Sequence, residues 1–145
     1  MSEGSAAESE EARAERLVAK MLAGDAFSRW LGVELVALRP GGCTLRMTVR
    51  PEMLNGFGVC HGGVTFSLAD SALAFASNTH GRLTMSVENG ITYPASVGPA
   101  DVLTAVAEEE SAGNRLAFYS VTVRKQDETV VALFRGTVYR TSRPL

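Results

Sequence analysis

Residues 62 to 79 read GGVTFSLADSALAFASNT, a run in which Val64, Phe66, Leu68, Ala69, Ala72, Leu73, Ala74, Phe75 and Ala76 leave no broad polar face. A helix of this kind must be covered on most sides, because a surface helix keeps a polar stripe. The remainder of the chain has to wrap it. Residues 83–93, 101–110, 116–125 and 129–139 are rich in Val, Thr, Phe and Tyr, and turn material separates them at PASVGPA, SAGN and QDET. Short links between the last three favour antiparallel neighbours. Upstream, Val33, Leu35 and Ala37 alternate with their neighbours up to the RPGG turn at 39–42. Leu45, Met47 and Val49 then alternate with Thr44, Arg46, Thr48 and Arg50, which reads as a hairpin with one wet face. The economical architecture is an α+β domain, an antiparallel five- or six-stranded sheet wrapped around a long central helix.

Outside that unit, residues 12–31 place Ala14, Leu17, Val18, Met21 and Leu22 at helical spacing, with a second short turn from Asp25 through Trp30. This predicts a peripheral amphipathic helix. Residues 51–63 (PEMLNGFGVCHGG) carry four glycines and a proline and form a loop that ends where the apolar helix begins. With 145 residues the expected organisation is a flexible acidic tail over 1–12 and one domain over 13–145.

Composition narrows the function. A hydrophobic share of 46% against 21% charged residues excludes wholesale disorder. A net charge of −2 provides no electrostatic footprint for nucleic acid. The opening MSEGSAAESE is acidic and lacks the basic or apolar start of a targeting segment, so the expected location is cytoplasmic. No apolar run approaches the ~18 residues of a bilayer span, and no membrane partner is expected. Cys43 and Cys60 form neither a CxxC pair nor a cluster with zinc spacing, and they read as free thiols in packing roles.

One carboxylate, Asp70, interrupts the apolar helix, and no Lys or Arg occurs between Arg50 and Arg82. Burying a carboxylate is costly and raises its pKa. Ser67, Ser71 or a strand arginine would satisfy it structurally; the other reading is catalytic. The helix opens with His61-Gly62-Gly63, and a helix N-terminus presents unpaired N–H groups and a partial positive charge suited to a developing oxyanion. Gly62 and Gly63 are the candidate donors, or else a tight turn admitting the chain to the helix. His61 is placed to orient a carbonyl, or to cap the helix. Gly62 and Asp70 lie about 12 Å apart along one helix axis, whereas an attacking group and an oxyanion donor must both be ~3 Å from the reacting centre. Two such helices running antiparallel about a two-fold axis near Phe66 would bring Gly62 of one chain beside Asp70 of the other. An active site here is expected to be shared across a homodimer.

The pattern Asn55-x5-His61-Gly62-Gly63-x6-Asp70, followed by SALAFASN, resembles the hotdog-fold thioesterases of the phenylacetate-pathway (PaaI) type, and the resemblance extends from the strand at 44 through ALFRGTVYR. It implies hydrolysis of acyl-CoA thioesters without a metal or redox cofactor, in homodimers that pair into a homotetramer. It implies that Asp70 is the catalytic carboxylate, acting as a base on water or as a nucleophile. It further implies that Gly62 donates its backbone N–H to the thioester oxygen, that His61 and Asn55 position the acyl carbonyl, and that Ser86 orients the water. A thioester carbonyl is poorly resonance-stabilised and thiolate leaves readily, so a carboxylate and an oxyanion donor suffice. The implied substrates are aryl-acetyl-CoA thioesters, such as phenylacetyl- or hydroxyphenylacetyl-CoA, or medium-chain acyl-CoA. The chain departs from the family at Ser71, where threonine is common, in the region that shapes the acyl pocket.

Met53, Phe57, Phe66 and Phe75 are candidates for that pocket or for the core, with Phe66 and Phe75 assigned to the core. Arg124, Lys125, Arg135, Arg140 and Arg143 would meet coenzyme A phosphates or form solvated strand ends. Two other functions fit the same scaffold. One is a hydratase or dehydratase using His61 as base; the other is a non-catalytic acyl-CoA binding module.

Overall fold

The computed structural model describes residues 6–145, and the first five residues of the expected tail lie outside it. In chain order it contains α1 (Glu10–Gly24), α2 (Ala26–Leu31), β1 (Glu34–Arg39), β2 (Gly42–Thr48), a 3-10 turn (Pro51–Met53), α3 (Gly62–Asn78), β3 (Arg82–Thr92), β4 (Val102–Ala112), β5 (Leu116–Lys125) and β6 (Val130–Pro144). The strands form one antiparallel six-stranded sheet ordered β1-β2-β4-β5-β6-β3 around α3, so the α+β hotdog architecture is the observed fold. No helix among the described residues is long and apolar enough to cross a membrane.

The first helix begins inside the stretch expected to be tail. Ser9 caps it by accepting the Ala12 N–H at 3.1 Å, and Glu10 and Glu11 in its first turn complement the helix dipole. Asp25 ends α1 and caps α2, its carboxylate accepting from the Ser28 N–H at 2.9 Å. Gly32, with φ +80°, closes α2 in the left-handed conformation that a side chain would disfavour.

α3 buries Leu68, Ala69, Ala72, Leu73, Phe75 and Ala76 completely or nearly so. They meet the inward face of the sheet: Cys43, Leu45 and Met47 of β2, Leu103, Ala105 and Ala107 of β4, Val121 and Val123 of β5, and Phe134 and Val138 of β6. Each fully buried Leu or Phe contributes roughly 1.5–3 kcal/mol, so this single helix organises the domain. Gly136 on β6 lets α3 approach closely, because a Cβ there would collide with Leu73 Cδ1.

Alternation holds in β2, where Arg46 and Thr48 face solvent, and fails in β1. A register shift between Leu35 and Ala37 breaks the period, leaving both Leu35 and Val36 exposed on this edge strand. The last strand continues past Tyr139 to Pro144, because β3 pairs with it out to Arg82. β3 is the other sheet edge and runs back along α3. Thr84 meets the helix end through Ser77 and Asn78, Asn89 meets Asp70, and Tyr93, just past the strand, meets Gly62.

Candidate active site

The site is built on two levels of α3. At its start His61 caps the helix, its Nδ1 accepting the Gly63 N–H at 2.9 Å. Accepting at Nδ1 places the proton of a neutral imidazole on Nε2, so the ring offers a donor outward and no free lone pair. The hydratase reading needed His61 as base, and this geometry disfavours it. The same bond removes Gly63 from the pair of candidate donors. Gly62 N–H, at the first helical position, finds no acceptor among the described residues and remains available to an oxyanion. Tyr93, absent from the expected site, donates its hydroxyl to the Gly62 carbonyl at 2.8 Å and stands where a Gly62 Cβ would be, 3.1 Å from that position.

Asn55 shapes the preceding loop. Its Oδ1 accepts from the N–H groups of Phe57 at 2.9 Å and Val59 at 3.3 Å, an Asx turn that leaves Nδ2 without a partner among the described residues. The loop is anchored to the body by the His61 N–H donating to Met53 O and the Cys60 N–H to Val97 O.

Eight residues further on, Asp70 is half-buried. Burial pushes its carboxyl pKa up and the nearby Asp25 charge adds to that, while a hydrogen bond from Asn89 works against the rise. Asn89 Nδ2 donates to Asp70 Oδ1 at 3.1 Å. Asp25 in turn accepts from Ser28 Oγ at 2.6 Å, and Ser28 Oγ lies 2.8 Å from Ser71 Oγ, the residue after Asp70. Ser71, the point of departure from the family pattern, is thus tied through Ser28 to Asp25 at the α2 N-cap.

Ser86 lies on β3, exposed, opposite the inward-facing Val138 and therefore on the face turned to α3. It makes no hydrogen bond to Asp70, whose partner on that strand is Asn89. Met53 and Phe75 are core residues and do not line an open pocket, Phe66 stacks edge-on against Phe134 at 5.3 Å, and Phe57 is 92% exposed. Cys43 and Cys60 are free and buried, and burial pushes the Cys43 thiol up to about 12. Arg140 donates to Gly113 O at 2.6 Å, while Lys125 lies 4.0 Å from Asp101 and Arg135 3.8 Å from Glu110. Among the described residues no three His, Cys, Asp or Glu side chains gather as a metal site would require.

Within one chain the Gly62 amide and Asp70 sit on one regular helix, about 12 Å apart along its axis. One copy therefore carries both parts without bringing them together.

Sequence and structural comparisons place the chain among known proteins. The thioesterase superfamily model matches residues 57–132. Acyl-coenzyme A thioesterase PaaI of Escherichia coli is 36% identical over 120 residues, 83% of this chain and 86% of PaaI. Human acyl-coenzyme A thioesterase 13 is 39% identical over 100 residues, 66% of this chain and 70% of its own length. The solved structure of E. coli PaaI superposes with a TM-score of 0.91 at 33% identity, covering 94% of this chain and 99% of that one. A hypothetical thioesterase from Streptococcus pneumoniae, solved with coenzyme A, superposes with a TM-score of 0.81 at 25% identity over 87% of this chain and 98% of its own. With the wrapped apolar helix, the open Gly62 amide and the half-buried Asp70 already in place, these likenesses show that the chain belongs to the thioesterase superfamily, as a hotdog-fold enzyme of the PaaI type.

Proposed function

We propose that this chain hydrolyses acyl-CoA thioesters to the free acid and coenzyme A in a site shared by two subunits of a homodimer. The observation that carries the proposal is the pairing on α3 of an unclaimed amide, Gly62, with a half-buried carboxylate, Asp70. The thioester oxygen lies against the Gly62 N–H of one subunit, and water beside Asp70 of the other attacks the carbonyl. Asp70 takes the water proton as the C–O bond forms. The C–S bond then breaks, and the proton passes to the leaving thiolate, which regenerates the carboxylate. A carboxyl raised by burial is a better base near neutrality than an exposed one. His61 Nε2–H and Asn55 Nδ2 orient the acyl carbonyl, and Ser86 orients the water. No metal or redox cofactor enters this scheme.

Two features of β3 support the shared site. It is a sheet edge with an open row of backbone groups, and its Met85 and Val87 are each 60% exposed. Pairing that edge with its own copy about a two-fold axis lays two α3 helices antiparallel, as the Gly62–Asp70 separation requires. The outward side chains of Leu116, Phe118, Leu133 and Tyr139 on β5 and β6 are also exposed and suit the stacking of two dimers into a homotetramer.

The proposed substrates are aryl-acetyl-CoA thioesters, with medium-chain acyl-CoA as the second class. The support is the likeness to a PaaI protein from a phenylacetic acid degradation operon. The test is thiol release from a panel spanning aryl-acetyl and straight-chain acyl-CoA, followed with a thiol reagent. Release that is fastest with an aryl-acetyl group is expected. Binding of these thioesters without release of thiol from any of them would instead indicate the non-catalytic binding module.

A further inference from the structure

Asn89 is not part of the motif that marks the site, yet three features of the fold converge on it. In β3, Ser86 stands opposite Val138 and Glu88 opposite Thr137, so two residues of β3 span one step of β6. This bulge resets the alternation, and Asn89 turns to α3 on the same face as Ser86, three residues before it, where a regular strand would point it away. Opposite Asn89 is Gly136, and a Cβ there would lie 2.7 Å from Asn89 Oδ1; the missing side chain makes the niche that holds the amide. The amide then uses only its donor end. Nδ2 donates to Asp70 Oδ1 at 3.1 Å, while Oδ1 is buried without a partner among the described residues.

We propose that Asn89 is the positioning residue for Asp70, resting on the reading of Asp70 as base: Nδ2 steadies the carboxylate before reaction, and the unpartnered Oδ1 accepts the hydrogen once Asp70 has taken the water proton. A half-turn about χ2 exchanges the two atoms in the same niche. An ionised carboxylate accepts only, and a protonated one also donates; a primary amide is the side chain that answers both states without itself titrating. The other groups facing α3 do not offer this exchange. Asp25 approaches from the α1–α2 junction as a second carboxylate. Glu109 of β4 and Tyr119 of β5 are bound together with His80 past the far end of the helix, where Arg13 of α1 lies beside Gly81. β2 presents the buried Cys43 thiol, and the inward positions of β6 and β3 are uncharged.

Asn89→Leu keeps the bulk and removes both functions, and Asn89→Asp keeps the shape but adds a charge. With the preferred acyl-CoA, Asn89→Leu is expected to lower kcat about tenfold to a hundredfold with KM little changed. The acid limb of its kcat/KM–pH profile moves to higher pH, since the donor bond to the ionised form, made in place, outweighs the acceptor bond that needs the half-turn; Asn89→Asp moves it further. Carbon-13 NMR titration of the Asp70 carboxyl follows the same shift without relying on turnover. A folded Asn89→Leu protein with kcat within about twofold of the parent and an unmoved acid limb would overturn the proposal. Should Asn89→Leu not fold, Asn89→Ala is read the same way. Asp70→Asn in the same series separates the two claims. Parental turnover in Asp70→Asn removes the base, whereas an inactive Asp70→Asn beside an unshifted Asn89→Leu removes only the positioning role.

Discussion

The first turn of α3 and its middle do opposite halves of the proposed chemistry and are built by opposite means. At the first turn the cap and the donor are local: His61 accepts from the N–H two residues ahead of itself, and the open Gly62 amide is a property of any helix start, with Tyr93 a contact from elsewhere in the chain. In the middle nothing is local. Asp70 is held by Asn89 from the sheet edge and raised by burial and by Asp25 at the α2 N-cap, and Asn89 itself sits over the gap left by Gly136. Charge stabilisation thus comes from backbone that side-chain exchange barely touches, whereas the base depends on a tertiary arrangement that single substitutions disturb.

The sharpest way to break this contrast is Asp70→Asn, which keeps shape and removes the base. Turnover is expected to fall by about 10³–10⁴, measured as thiol release at saturating acyl-CoA. The same change is expected to raise Tm by a few degrees near neutrality. Because burial lifts the folded pKa of Asp70 above the ordinary value of 3.8, the folded state, between those two values of pH, holds a proton that the unfolded state has lost. Its contribution to stability is therefore present below 3.8 and is lost as pH rises through the folded pKa. The Tm gap between Asp70→Asn and its parent should close at acidic pH, and a gap that persists there would show that the charge is not its cause.

At the first turn the equivalent test must delete a backbone N–H. Gly62→Pro does so at the one helical position where proline is favoured, after a His61 whose φ −59° and ψ 132° suit a following proline. A loss of about 10²–10³ in kcat is expected with helix content retained, though Tyr93 must yield a few tenths of an ångström to the new ring. Retained activity would show that the amide is not the oxyanion donor. Gly136→Ala sharpens the other side. Overpacking against Leu73 and Asn89 should cost about 1–3 kcal/mol in denaturant unfolding, and an unchanged midpoint would show that the niche is not tight. The smallest effect is expected for Tyr93→Phe, which loses one hydrogen bond to the Gly62 carbonyl, worth about 1 kcal/mol. A change in kcat/KM beyond about tenfold would place Tyr93 in the chemistry itself.

The same contrast explains what could be read from the sequence. The wrapped helix was legible because an apolar run without a polar stripe has few ways to be satisfied, and the His61-Gly62-Gly63 start was legible because capping works within a few residues. The start of α1 at Glu10 was missed because an acidic segment serves equally as a solvated tail or, behind Ser9, as a first helical turn. The edge strand β1 departed from alternation through a bulge that side-chain pattern does not announce. Asn89 was hidden for the same reason: counted by twos from Ser86 it points to solvent, and only the extra residue at the bulge turns it to Asp70. Tyr93 was invisible because its role is a contact between segments 31 residues apart.

The shared site is tested most directly by mixing two inactive chains, Asp70→Asn and Gly62→Pro, under conditions where subunit exchange is demonstrated. If each site takes its amide from one subunit and its base from the other, every mixed pair regains one intact site. A one-to-one mixture should then recover roughly one quarter of the parental activity. No recovery after full exchange would contradict a site built from two chains.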